Sequence, residues 1–180
     1  MKYRKHIRLK GYDYATPNYY FVTVCTRNRQ ELFYPGVSEK YGDLLRRDVA
    51  AGLVPANELI ISQRKSITNC IENILINEVT QKYSIGLDFY CIMPDHIHFI
   101  IVISGDHKGR SYSLGQIIGA FKSLSTREVW KLGYHDKIFQ PNFYEHVVRN
   151  ERSLDSIRQY ILNNPLVQYG DIPWKFIDPT

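Results

Sequence analysis

Two histidines, His96 and His98, stand one residue apart inside the apolar run FYCIMPDHIHFIIVI. If this run forms a β-strand, side chains at positions i and i+2 point to the same face, so the two imidazoles lie side by side. Ile97, Phe99 and Ile101 then point to the other face. Paired imidazoles on a rigid strand are typical of a metal site, and two hydrogen-bonded structural histidines are the alternative.

Two histidines alone leave a metal site incomplete. The sequence contains neither a cysteine cluster nor an HExxH motif, so the remaining ligand should be an oxygen or nitrogen donor from elsewhere in the chain. A mixed site with open positions suits Mg²⁺ or Mn²⁺ acting as a Lewis acid on a phosphate.

The segment SIRQYILNNP supplies a candidate ligand and a candidate nucleophile. Tyr160 and Asn164 are four residues apart, so they are neighbours on one face of a helix. The amide oxygen of Asn164 can complete the coordination, with the Tyr160 hydroxyl beside the metal. A phenol with a pKa near 10 needs a cation or a base before it attacks a phosphate.

A second pair, Tyr144 and His146 in NFYEHVVR, competes for these roles. If that segment is a strand, the two side chains share a face and can supply the nucleophile and the third ligand instead. Spacing favours Tyr160 only slightly, and an ordinary, partly buried tyrosine is the alternative for Tyr160 itself.

Positive charge suggests an anionic partner. The formal net charge is +5 and the isoelectric point is about 9.0. Residues 1–14 form a predicted basic arm with no acidic residue before Asp13. Basic side chains can neutralise phosphates while aromatic rings stack on bases, although a solvated terminus is the alternative. The candidates in the arm are Lys2, Tyr3, Arg4, Lys5, Arg8 and Lys10. Lys122 and Arg127, on a predicted helix, are weaker candidates.

Length and composition are those of one globular domain over residues 1–180. Cys25, Cys70 and Cys91 are widely spaced and odd in number, which favours reduced thiols over a disulfide framework. The basic start is followed by no apolar core, so we expect no signal peptide there, and no run of 18 apolar residues predicts a membrane span.

The elements that must position these residues follow from apolar periodicity. The pattern predicts a strand over 19–26, a short helix at YGDLLRRDV, and a helix over 66–84 capped by Ser66 and ended by Gly86. Two strands flank a Pro-Asp turn, and helices follow over 113–133 and 153–165, the last stopped by Pro165. Between those helices, KIFQPNFYEHVVR is extended with a break at Pro141. This order predicts an α+β fold, a ferredoxin-like antiparallel sheet with helices packed mainly on one face.

The run MPDHIHFIIVI, a helix, and then FQPNFYEHVVRNERSLDSIRQYILNNPL together resemble the single-tyrosine HUH transposases, in particular the REP-associated tyrosine transposases. The resemblance extends from about residue 19 to about residue 170. It implies that His96 and His98 bind the metal, that Asn164 is the third ligand and that Tyr160 is the nucleophile. Tyr144 then falls where relatives carry another aromatic residue, and Arg149 is implied to contact the DNA backbone.

The family implies a metal-dependent endonuclease and strand transferase that acts on single-stranded, hairpin-forming DNA through a 5′-phosphotyrosine intermediate. It implies Mg²⁺ or Mn²⁺ as cofactor and a place in the bacterial cytoplasm, on the nucleoid. A homodimer that donates the tyrosine helix in trans stays open, as does packing in cis. Two other functions also stay open, a non-catalytic binder of single-stranded nucleic acid and a metallohydrolase that activates water. Residues 38–65 match no motif of the family.

Overall fold

A computed structural model describes residues 8–34, 36–37, 58–105 and 112–168. Its centre is an antiparallel sheet with strand order β2-β3-β4-β1-β5. The strands are β1 (Asn18–Cys25), β2 (Gly36–Val37), β3 (Gly86–Met93), β4 (His96–Ile103) and β5 (Tyr144–Val148). Apart from the two-residue β2, the strands and long helices alternate in the β-α-β-β-α-β order of ferredoxin-like folds.

Helical segments connect these strands. They are α1 (Glu58–Asn73), a π-helical stretch (Ile74–Val79), α2 (Thr80–Tyr83), α3 (Leu114–Lys131) and α4 (Glu151–Gln168). A 3₁₀ turn, Arg27–Arg29, follows β1. The α+β, ferredoxin-like prediction is confirmed.

Helices cover both faces of the sheet, but unequally. The helices α1, α2 and α3 and the π-helical stretch bury the larger core, to which β4 contributes Ile97, Phe99, Ile101 and Ile103. Among the described helices, only α4 covers the opposite face, where its Leu154, Ile157 and Ile161 pack on apolar residues of β3, β4 and β5. Since both faces are covered, β4 reads as a nearly continuous apolar run. The two histidines lie on the face that α4 covers.

The predicted helix over 66–84 has different ends in the structure. It begins eight residues earlier, at Glu58, so Ser66 is no cap but lies mid-helix, with its Oγ donating to the Ser62 carbonyl at 3.0 Å. Its first turns are mostly exposed, so no apolar stripe marks them. The helix ends at Tyr83, where Ser84 adopts the left-handed conformation with φ 47°. Gly86 begins β3 instead of ending the helix.

The predicted helix over 153–165 was also wrong at both ends. Asn150 caps it, because the Asn150 Oδ1 accepts from the Ser153 amide at 2.8 Å and the helix begins at Glu151. Pro165 does not stop it, since α4 continues to Gln168. A proline disfavours a helix interior because it lacks an amide donor and its ring crowds the preceding turn, yet the helix runs through Pro165 here. The short helix predicted at YGDLLRRDV lies outside the described residues, whereas the strand predictions and α3, capped by Ser113 and Gln116, are confirmed.

An ion pair fastens α4 to β3. Arg158 donates from Nε and Nη2 to the two carboxylate oxygens of Asp88, at 2.8 and 2.7 Å. Its Nη1 donates to Asp155 within α4 at 3.1 Å. Paired N–H donors on one carboxylate fix direction as well as distance, so this contact sets how α4 lies across the sheet.

Removing the carboxylate of Asp88 should therefore loosen α4. We expect Asp88→Ala to lower the free energy of unfolding by about 1–3 kcal/mol, because it leaves a partly buried guanidinium without its bidentate partner. Asp155→Ala removes the second, 68% exposed partner of the same arginine and should cost less than about 0.5 kcal/mol. Urea denaturation of both variants checks this, and equal losses would contradict it.

Candidate active site

The two histidines of β4 meet at their ring nitrogens. The Nε2 atoms of His96 and His98 lie 3.0 Å apart, and both side chains are buried. The Nδ1 of His96 lies 2.5 Å from the Asp95 Oδ1, and the Nδ1 of His98 lies 2.8 Å from the Thr23 Oγ1. Because a carboxylate only accepts, the proton of His96 sits on Nδ1, which leaves the lone pair of its Nε2 available. Asp95 and Thr23 thus orient the two rings.

The protonation of the pair follows from burial. Desolvation lowers the pKa of His96 despite the opposing carboxylate of Asp95. Desolvation also lowers the pKa of His98 well below its usual value, with the charges of His96 and Arg29 adding to the effect. Both imidazoles are therefore neutral at pH 7, and only a neutral imidazole can bind a cation through its lone pair.

Tyr160 lies over this pair from α4. Its ring centroid is 5.4 Å from that of His98 and 6.0 Å from that of Phe21 on β1, both in edge-on geometry. The side chain is half-buried. Burial raises the pKa of the Tyr160 hydroxyl above its ordinary value, and the charge of Arg29 opposes that rise. The phenol is protonated at neutral pH, so it could act as a nucleophile only when a cation stabilises its phenolate or a base removes its proton.

Asn164 occupies the next turn of α4, four residues after Tyr160. It is 8% exposed, and its Nδ2 is buried without a hydrogen-bond partner among the described residues. An unpaired buried amide is costly unless something binds it. Turning the amide by 180° places Oδ1 at the unpaired position, where it can bind a cation.

The donor set fits a hard divalent cation. With metal–ligand bonds of about 2.1 Å, neighbouring ligands of an octahedral ion lie about 3.0 Å apart, which is the observed separation of the two Nε2 atoms. Across the described ranges, no group of three histidine, cysteine or acidic residues could hold a metal. A third ligand from this part of the chain is thus an amide, a hydroxyl or a carbonyl, and Asn164 has the unsatisfied atom.

The competing pair lies farther from the histidines. On β5, Tyr144 pairs with Thr23 of β1, and His146 pairs with Phe21. Two strand spacings of about 4.8 Å separate β5 from β4, whereas Tyr160 lies directly over His98. Tyr144 is 54% exposed, and burial together with the charge of Arg149 lowers the pKa of His146. The structure thus gathers Tyr160 with the paired histidines and leaves Tyr144 at the sheet edge.

Two residues beside the histidines carry no signal in the sequence. Thr23 contacts His98 only because β1 and β4 pair in a particular register. Arg29 reaches Asp95 from the 3₁₀ turn after β1, with its Nε 2.7 Å from the Asp95 Oδ2. Asp95, by contrast, could be found from the sequence, because it lies in the Pro-Asp turn directly before the paired histidines.

The predicted basic arm is only partly within the described residues. Lys2, Tyr3, Arg4 and Lys5 lie outside them, and Lys10 is exposed. Arg8 forms an ion pair and a cation–π contact within the protein. Its guanidinium lies 2.5 Å from the Glu145 Oε2 and 3.9 Å from the ring centroid of Phe143. Arg8 thus anchors the arm to the β5 edge of the sheet.

Lys122 and Arg127 border a basic cavity of about 620 Å³ on the α3 side of the sheet. No acidic side chain of the described residues lines it, whereas its wall includes the basic or aromatic residues Arg27, Lys122, Arg127, Trp130, Lys137 and Phe139. The Lys122 Nζ donates to the carbonyls of Gln140 and Asn142, and burial lowers its pKa to about 8. Trp130 in the cavity wall is 45% exposed.

Arg149, the other predicted DNA contact, is exposed and lies just after β5, outside the cavity lining.

Comparison with known proteins identifies the family. A family model described as "Transposase IS200 like" matches residues 59–164, a span from α1 to Asn164 that includes the paired histidines and Tyr160. The chain belongs to this IS200-like transposase family. The resemblance drawn from the sequence is confirmed. Within the described residues, none of the helices has the length and apolar character that a membrane span requires.

Relatives of this IS200-like transposase include two proteins of Haemophilus influenzae. One, called "Uncharacterized protein", is 29% identical over 186 residues that cover 94% of this chain and 92% of the relative. The other, called "Putative REP-associated tyrosine transposase", is 25% identical over 138 residues, 69% of this chain and 76% of that protein. A solved REP-associated tyrosine transposase bound to a REP hairpin has the same fold, with a TM-score of 0.56 and 20% identity over 92% of this chain and 75% of that one.

The buried histidines should make stability depend on pH. The pKa of His98 is well below 6.5 in the folded state and returns to about 6.5 on unfolding. Below that pH the unfolded chain binds a proton that the folded chain does not, so the free energy of unfolding falls as the pH falls. We expect urea denaturation from pH 7 to pH 5, with a chelator present, to show a slope that His98→Gln reduces by up to about 1.4 kcal/mol per pH unit.

An exposed histidine supplies the control for that measurement. His135 lies on the surface after α3, and His135→Gln should keep the wild-type slope. Equal slopes for His98→Gln and the wild type would show that the buried imidazole does not cause the pH dependence.

Proposed function

We propose that this IS200-like transposase cleaves and rejoins single-stranded, hairpin-forming DNA through a covalent 5′-phosphotyrosine link on Tyr160. One observation carries the proposal. The ring of Tyr160 lies 5.4 Å from that of His98, whose Nε2 is 3.0 Å from the Nε2 of His96. A candidate nucleophile and two neutral imidazoles that could bind a metal thus lie side by side. A protein that only binds nucleic acid would not require this arrangement.

The residues that would hold a divalent cation, Mg²⁺ or Mn²⁺, are His96 and His98 through Nε2 and Asn164 through its amide oxygen. When bound, such a cation supplies Lewis-acid chemistry to a phosphate oxygen and favours the phenolate. Asp95 and Thr23 hold the imidazoles by their other nitrogens, which is the usual way in which ligand rings are oriented.

The proposed reaction transfers a phosphoryl group of the DNA from a 3′ oxygen to the Tyr160 hydroxyl. The Tyr160 Oη forms a bond to the scissile phosphorus as the bond to the 3′ oxygen breaks, with the two oxygens in line. The phenol loses a proton and the departing 3′ oxygen gains one, so the products are a 5′-phosphotyrosine and a free 3′-hydroxyl. Because a phosphodiester replaces a phosphodiester, a 3′-hydroxyl can reverse the step without ATP, and joining to a second strand follows.

Packing prepares Tyr160 for this step. Phe21 contacts its ring edge-on, and the ion pair between Arg158 and Asp88 fixes α4 two residues before it. These contacts hold the Tyr160 ring beside that of His98. A positioned nucleophile needs little reorganisation before attack.

Basic and aromatic surfaces would bind the DNA outside the cleavage site. The cavity beside α3 offers cationic side chains for phosphates and Trp130 for stacking on an unpaired base. We assign the same role to Arg149 and to the N-terminal arm, whose candidates are Lys2, Tyr3, Arg4, Lys5 and Lys10. Arg8 contributes by fastening the arm to Glu145.

The nucleophile can be identified by two matched substitutions. Tyr160→Phe removes one oxygen and almost no volume, so we expect normal hairpin binding and no covalent adduct. Tyr144→Phe makes the same change at the sheet edge and should keep the rate of adduct formation within about tenfold, or about 1.4 kcal/mol in the barrier. A denaturing gel with a labelled hairpin, followed by mass spectrometry of the DNA-linked peptide, checks both.

The outcome of that experiment also separates the other functions. DNA linked to Tyr144 would refute the assigned nucleophile. Cleavage by Tyr160→Phe without any adduct would identify a hydrolase that activates water, and hairpin binding with no cleavage by the wild type would identify a binding protein.

Metal dependence gives a separate test. We expect His96→Ala to lose cleavage in both Mg²⁺ and Mn²⁺ yet bind hairpin DNA within a few-fold of the wild type, because phosphate contacts and stacking dominate affinity. His135→Ala, which alters an exposed histidine after α3, controls for the loss of an imidazole. Full cleavage by His96→Ala, or by the wild type in excess chelator, would contradict the metal assignment.

A further inference from the structure

The turn after β1 is strained in a way that needs an explanation. Asn28 and Arg29 have φ angles of 55° and 58°, in the left-handed region that favours glycine. Non-glycine residues there cost about 1 kcal/mol or more each, and such strain concentrates at functional sites. Surrounding bonds hold the turn, since the Thr26 hydroxyl donates to the Gln30 carbonyl at 2.8 Å and the Arg29 amide donates to the Thr26 carbonyl at 3.3 Å.

The strained turn directs the Arg29 side chain to the candidate active site. Its Nε lies 2.7 Å from the Asp95 Oδ2, and its Nη1 donates to the Cys25 Sγ at 3.0 Å. Cys25 pairs with His96 across the sheet, so the guanidinium lies at the end of the strand that carries the histidines. The side chain is nevertheless 54% exposed. One edge of the guanidinium is anchored, and the rest faces solvent beside the site.

The positive charge of Arg29 lies beside His96. Asp95 joins the two side chains, with its Oδ2 2.7 Å from the Arg29 Nε and its Oδ1 2.5 Å from the His96 Nδ1. A phosphodiester held at the paired histidines would therefore lie near the solvent-facing edge of the guanidinium. Asp95 bonds the guanidinium at Nε and Cys25 bonds it at Nη1, so the N–H groups that face solvent remain for another acceptor.

We infer that Arg29 is a catalytic residue that donates a hydrogen bond to a non-bridging oxygen of the scissile phosphate. The inference rests on the proposed function. Negative charge on the non-bridging oxygens is what a fixed cation stabilises during phosphoryl transfer, and a planar guanidinium suits phosphate geometry better than an ammonium. A purely positioning role, in which Arg29 only holds Asp95 and thereby His96, is the alternative to be distinguished.

Replacing the scissile phosphate separates the two roles. A methylphosphonate at that position removes the negative charge of one non-bridging oxygen and leaves the bond to be broken. Adduct formation is measured for the wild type and Arg29→Ala on a phosphodiester hairpin and on its methylphosphonate counterpart. We expect Arg29→Ala to slow the reaction on the phosphodiester by about 10²–10³-fold, with hairpin affinity changed only a few-fold. On the methylphosphonate the difference between the two proteins should shrink to less than about tenfold, because no charge is left to bind.

Further variants serve as controls for this experiment. Arg64→Ala removes one positive charge from α1, on the other face of the sheet, and should match the wild type on both substrates. Arg29→Gly permits the left-handed backbone without strain, so it replaces Arg29→Ala if the latter unfolds. Arg29→Lys keeps the charge and should recover part of the rate on the phosphodiester only.

The outcomes are distinct. An equal loss on both substrates, reproduced by Asp95→Asn, would show that Arg29 only positions His96 and would overturn the inference. Wild-type rates in Arg29→Ala would overturn it as well. If the wild type itself forms no adduct on the phosphodiester, the proposed function fails and the inference fails with it.

Discussion

Burial of two imidazoles between a sheet and one helix is the constraint on which the rest of the site depends. Desolvation keeps His96 and His98 neutral, and α4 provides that desolvation by covering the second face of the sheet. The same helix carries Tyr160 and Asn164. The packing of α4 on the sheet therefore buries the imidazoles, keeps them neutral and places the Tyr160 ring beside His98. The bidentate ion pair between Arg158 and Asp88 gives that packing its direction.

Charge is arranged around this neutral centre. Asp95 bonds both the His96 ring and the guanidinium of Arg29, so one carboxylate joins a neutral and a cationic group. Cationic side chains gather on the α3 side of the same sheet, around the cavity that includes Lys122 and Arg127. The cation of Arg29 thus lies beside the neutral imidazoles, and the cations around the cavity lie on the α3 side of the sheet.

Short-range patterns were enough to predict much of the architecture. The paired histidines on a strand, the Pro-Asp turn, the amphipathic α3 and the apolar face of α4 all follow from periodicities of two or 3.6 residues. Helix ends were less well predicted. Ser66 and Pro165 have the composition of a cap and a stop, yet a helix runs through each of these positions. The polar first turns of α1 carry no apolar periodicity that could have marked them.

By itself the sequence determined which residue types could do the chemistry and the local spacing that places His96 beside His98 and Tyr160 before Asn164. Those relations are set by backbone geometry within one strand or one helix. Only the tertiary structure decided which tyrosine meets the histidines, because Tyr160 and Tyr144 are separated by strand order and by the path of α4. It alone brought Thr23 and Arg29 to the imidazoles, through the register of β1 on β4 and a left-handed turn. Such contacts join residues more than sixty positions apart, and no local pattern along the chain encodes them.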